Sequence, residues 1–64
     1  MDKWKAELLV KMRMNGISQK RLAAHLGLTP QYVSMIFSGA KSSKKAETSF
    51  TEAVNSIISH QVSP

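Results

Sequence analysis

Sixty-four residues and 7.1 kDa hold one small domain spanning 1–64, which excludes a two-domain enzyme, and a 42% apolar content supplies one core without a deep catalytic cavity beside it. Cysteine is absent, which excludes disulfides and thiolate metal sites, and no apolar run reaches the ~20 residues that cross a bilayer. Nine Lys and Arg against Asp2, Glu7, Glu47 and Glu52 leave a net charge of +5, a balance that points to a polyanionic partner, nucleic acid before an acidic membrane surface or protein.

The N-terminus, Met1-Asp2-Lys3-Trp4-Lys5, lacks the hydrophobic stretch of a signal peptide, so the expectation is a soluble cytoplasmic protein. From Asp2 to Asn15 the apolar residues Trp4, Leu8 and Met12 recur every four positions, with Leu9 at the edge of the stripe. That period is helical. Asp2 suits the N-cap and Gly16 the stop.

Ser18 then reads as the cap of a second helix, with Ile17 placed to touch Leu22 as a hydrophobic staple and Gly27 as the left-handed end. Leu22, Ala23 and Leu26 form its apolar face. Thr29-Pro30 opens a third helix, because Thr caps well and Pro is preorganised for the first helical position. Val33, Ile36 and Phe37 face inward from it, and Gly39 stops it.

A polar, basic stretch from Ala40 to Lys45 leads to a stripe of Ala46, Phe50, Ala53, Val54, Ile57 and Ile58. This predicts one helix from about Ser43 to about His60, capped by Ser42 or Ser43, with Thr48-Ser49 as the place where it would break in two. Residues 61–64 are expected to fray. Trp4, Leu8, Met12, Leu22, Leu26, Val33, Ile36, Phe50, Val54 and Ile57 are the expected core.

Two-turn helices are unstable alone, so the second and third must lean on one another and on a shared core. Counting from Gln19, inward residues fall at the fourth (Leu22), fifth (Ala23), eighth (Leu26), tenth (Leu28), fifteenth (Val33) and eighteenth (Ile36) positions, with Gly27 at the ninth. A small residue at the fifth lets the axes cross closely, and glycine at the ninth permits a sharp turn. That is the arrangement of a helix-turn-helix.

The segment from Ser18 to Gly39, with its Gln, Leu-Ala, Leu-Gly, Val, Ile and terminal Gly, resembles the helix-turn-helix of the phage Cro and repressor family, the lambda-repressor-like domains. The resemblance implies an all-α, compact four- or five-helix bundle and a phage or bacterial operator-binding transcriptional regulator. It also implies a symmetric dimer whose third helix lies in the major groove of double-stranded DNA. Pro30 and Met35 depart from it, standing where the family often has polar base-reading residues, so hydrogen-bond readout is expected to be sparse.

At about 100° per residue, a third helix that buries Val33, Ile36 and Phe37 turns Gln31, Ser34, Met35 and Ser38 outward. This face is nearly uncharged, which suits base edges: Gln can bond adenine, Ser several bases, and Met offers apolar contact to a thymine methyl. An ordinary solvated face generally carries Lys and Glu. Thr29 and Pro30, at the helix start, complete the expected readout set, with Thr29 first of all a cap. Tyr32 beside this face would contact phosphate or deoxyribose, or else lid the core.

Lys20 and Arg21 fall in the expected first turn of the second helix, and Lys44 and Lys45 in that of the last. Cations there oppose the helix dipole by roughly 0.3–1 kcal/mol each, whereas a phosphate would meet free amides and positive side chains together. Side chains that swing into solvent would escape most of that penalty. Gln19 fits the same phosphate-clamping role, as the resemblance also suggests, and Lys41 is either a backbone contact or a solubilising loop lysine.

No catalytic constellation, metal-ligand spacing or cofactor motif is legible; His25 and His60 lack companions, though His25 could approach a phosphate. Self-association is expected because one recognition helix covers only about half an operator. Val10 with Met14, or the face of the last helix around Phe50, Ile57, Ile58 and Val62, would supply it; family habit favours the latter, with a dimer weak in solution. The alternatives are a protein-interaction module reusing this fold, such as an antirepressor or antitoxin, and, less consistent with the Gly and Pro spacing, a basic membrane-surface peptide.

Overall fold

The computed structural model describes residues 2–61, and its regular elements are four helices: α1 (Lys3–Met14), α2 (Gln19–Leu26), α3 (Pro30–Ser38) and α4 (Ala46–Gln61). α2 packs on α3 and on α4, and α1 packs on α4, so α4 is the post around which the short helices gather.

The boundaries follow from capping chemistry. Ser18 Oγ accepts from the Arg21 amide at 3.0 Å, and Thr29 Oγ1 accepts from the Tyr32 amide at 3.1 Å, each satisfying one amide that helix geometry leaves without a partner. α2 ends where Gly27 takes φ 71°, which lets the Leu28 amide donate back to the Ala23 carbonyl at 2.9 Å. Asp2 is the N-cap of α1, but its carboxylate makes no capping bond; it sits 3.5 Å from the Lys5 ammonium instead.

Phe50, Leu22, Ile36, Val33 and Val54 are the largest fully buried side chains. Trp4, Phe37 and Phe50 join α1, α3 and α4 at one end, with Phe37 and Phe50 ring centres 5.5 Å apart and Trp4 edge-on to Phe50 at 6.2 Å. Trp4 and Leu26, expected in the core, are partly buried against it; Ile17, Phe37, Ala46 and Ala53 belong to it outright.

Four expectations are corrected. Leu28 does not face inward: it is 39% exposed, because the backbone bond that closes the Gly27 turn leaves its side chain at the surface. α4 begins at Ala46 rather than near Ser43, with Ser43 contributing a carbonyl to the Ala46 amide in the preceding turn. It runs unbroken through Thr48-Ser49, since Phe50, Ala53 and Val54 bury that face, and it includes Gln61. Lys44 and Lys45 therefore precede the helix, and the charged residue of its first turn is Glu47, which complements the dipole.

The fourth correction concerns the apolar face of α4. Phe50 and Ile57 are spent on the core, at 1% and 5% exposure, and Ile58 is packed against it. Val62 lies outside the described residues. Val10 and Met14 are 58% and 80% exposed.

Candidate nucleic-acid interface

The α3 sequence, Pro30 to Ser38, carries no charged residue, and Val33, Ile36 and Phe37 anchor its inner face. With those three buried, Gln31, Ser34 and Ser38 are exposed and Met35 is half-buried between them and the core. Thr29 and Pro30 are exposed at its start. Their chemistry differs. The Gln31 and Ser34 side chains carry the free donors and acceptors of this face, whereas two hydroxyls are already engaged: Thr29 by its cap and Ser38 by donating to the Met35 carbonyl at 3.2 Å and accepting from the Ala40 amide at 3.4 Å.

Gln19, half-buried, and Lys20 and Arg21, exposed, open α2 with no acidic residue in that turn. The Ser18 cap takes the Arg21 amide, so the amides of Gln19 and Lys20 remain without an intrahelical partner at the positive end of the helix. The Arg21 guanidinium leans the other way. Oriented so that both ends find partners, the Gln61 amide accepts from Arg21 Nη1 and donates to the Asn15 carbonyl, tying the start of α2 to the ends of α1 and α4.

Past α3 the Lys41 amide donates to the Met35 carbonyl at 3.2 Å, folding the chain back over the helix end. The Lys41 ammonium then lies over the Tyr32 ring. Tyr32 is half-buried, packed against the core as a lid and capped by this cation. Lys44 and Lys45 are exposed in the turn that follows.

A further signal was available in the sequence without any geometry. From Leu8 to Ala46 there is no carboxylate, while Lys11, Arg13, Lys20, Arg21, Lys41, Lys44 and Lys45 all fall in that stretch. The acids are confined to α1 before Leu8, to Asp2 ahead of it, and to α4. The result is a neutral helix within a stretch of chain whose charges are all of one sign. Such a pattern favours a polyanion at its charged positions and leaves the helix to hydrogen bonds and apolar contact.

Among the described residues no group of three His, Cys, Asp or Glu is placed to hold a metal ion, and no helix is long and apolar enough to cross a membrane. A helix-turn-helix family model of the Cro/C1 type matches residues 9–50, from the middle of α1 into the first turns of α4. No curated protein and no solved structure matches the chain.

Proposed function

The chain belongs to the Cro/C1-type helix-turn-helix family of DNA-binding regulators, and from that premise we propose that it is a Cro-like repressor acting as a homodimer on a pseudo-palindromic operator. α3 enters the major groove of each half-site. Gln31 is the leading base contact, with Ser34 and Met35 beside it, Thr29 and Pro30 at the groove entrance and Ser38 at the far end. Gln19, Lys20, Lys41, Lys44 and Lys45 hold the phosphates that flank the groove, with Tyr32 acting through the Lys41 ammonium that it restrains and Arg21 exchanging its Gln61 partner for a phosphate.

The observation that carries this reading is the uncharged exposed face of α3 inside a carboxylate-free stretch of chain. A face meant only for water would carry Lys and Glu, and one meant for phosphate alone would carry Lys and Arg. Neutral donors and acceptors are what base edges require. Half-sites about one helical turn apart, read by two copies, fit a chain with a single recognition helix.

Selection of bound fragments from random duplexes, followed by titration of the winner at several salt concentrations, tests it. The expected result is an enriched two-fold-symmetric sequence whose affinity falls steeply with salt. Amide resonances of α3 that stay unmoved by every duplex at low ionic strength would overturn it.

A further inference from the structure

We propose that the outward face of α1 docks on a second copy of this chain, ridge on ridge along Ala6, Val10 and Met14, with Glu7 of each copy approaching Arg13 of the other. The contact deepens the proposed function by naming the surface that pairs two operator-bound chains, and rests on that reading for its role at an operator.

The large apolar side chains left exposed are Val10, Met14 and Leu28 among the described residues. Leu28 stands alone in the turn between α2 and α3. Val10 and Met14 are one turn apart on the same face of α1, and Ala6, also exposed, continues their row toward the helix start. Lys11 does not interrupt the row, because its ammonium bonds Asn55 Oδ1 at 2.6 Å and is drawn toward α4. The face that family habit would favour is spent: Phe50 and Ile57 of α4 lie in the core.

The occupant follows from the symmetry of what flanks the row. A row of residues four apart is inclined about 26° to the helix axis, so a two-fold axis laid along it crosses the helices at about 50°. Such a rotation preserves position along the row and exchanges its two flanks. Glu7 and Arg13 stand three residues before and after Val10, ~4.5 Å either way along the helix, and on opposite flanks at about 60° each. Rotation carries Glu7 of one copy to the Arg13 flank of the other, within reach of the longer side chain, and does so twice. Self-complementarity of one patch is what a two-fold contact needs. Among the described residues Glu7 has one loose competitor in its own chain, Lys3 at 4.0 Å with both side chains exposed.

One helix face covers less than the ~800 Å² per partner of a standard interface, so the pair is weak in solution and is completed on adjacent half-sites.

Sedimentation of the full chain without DNA, up to about 1 mM, tests the contact, and titration of a duplex holding one half-site is run in parallel. Wild type is expected to self-associate, and Val10→Ser with Met14→Ser to raise the dissociation constant about tenfold or more. Glu7→Arg alone weakens the pair, whereas Glu7→Arg combined with Arg13→Glu recovers it to within about threefold. All variants keep the helical circular dichroism of wild type, since none of these side chains is in the core, and the serine pair binds the single half-site as wild type does. A wild-type chain that stays monomeric throughout, a serine pair that dimerises undiminished, or a double reversal that recovers nothing overturns the proposal. Dimerisation as described with no half-site binding supports the contact and removes the operator reading alone.

Discussion

The Lys41 ammonium lies 5.8 Å from the centre of the Tyr32 ring, which ties the loop after α3 to a residue near that helix's start. The ring thereby restrains a cation that would otherwise sample solvent, and a cation restrained before binding loses less entropy when it meets a phosphate. Tyr32→Leu is expected to weaken binding to operator and unrelated duplex alike, by about 0.5–1 kcal/mol, and Tyr32→Phe to leave both nearly unchanged. Fluorescence anisotropy on the two duplexes separates these outcomes; loss confined to the operator would place Tyr32 on the bases instead.

Gln31 and Lys20 should fail in different ways. Gln31→Ala is expected to cost about 1–3 kcal/mol on the selected operator and little on unrelated duplexes, because it removes a base contact. Lys20→Ala is expected to weaken both and to lower the slope of log affinity against log salt by about one. Salt titrations of both variants on both duplexes distinguish a reading residue from a clamping one.

No heavy atom lies within 4 Å of where a Cβ would stand on Gly27, so Gly27→Ala meets no steric obstacle, only the left-handed backbone at φ 71°. The expected loss is about 1–2 kcal/mol. Ser18→Ala removes the α2 cap for about 1 kcal/mol. Urea denaturation followed by circular dichroism measures both; a neutral Gly27→Ala would mean that the turn relaxes to another conformation.

Leu22, with no exposed surface, packs where α2 meets the rest of the bundle. Leu22→Ala is expected to cost about 2–5 kcal/mol, most of the stability of a domain this small. Thermal melts should show a shallow, lowered transition, partly restored by saturating duplex, which binds the folded chain alone and adds ~2.7 kcal/mol at a hundredfold excess over the dissociation constant.

Local chemistry made most of the fold legible. Ser18, Thr29-Pro30, Gly27 and Gly39 mark boundaries by backbone geometry alone, and those signals depend on nothing beyond a few residues. The start of α4 was harder to read. Two candidate caps, Ser42 and Ser43, precede Ala46, and what places the first turn is the burial of Ala46 against the core, a tertiary fact. Leu28 misled for the same reason, since hydrophobicity says that a side chain prefers the interior and says nothing about which carbonyl its own amide must reach. Lys5 was invisible as well: it is 9% exposed on the inward side of α1, stretched toward Asp2 and over the edge of Trp4, a position a charge pattern alone assigns to solvent. Of the candidate interface, the neutral face of α3 could be read from period alone, whereas the engagement of the Ser38 hydroxyl at the helix end and of Arg21 with Gln61 depends on three-dimensional neighbours.

Nine residues make α3 a rod only ~13.5 Å long, the height of about four stacked base pairs at ~3.4 Å each. If α3 reads that length as proposed, a word of four letters recurs by chance roughly every 256 positions, and two such words at a fixed separation roughly every 65,000, against the million or more competing positions of a genome. The vocabulary of one chain is thus too small to address a single gene. In the proposed pair it is the rigid separation of the two words that lets their rarities multiply, so selectivity would be a dimension of the assembly as much as of any side chain on α3.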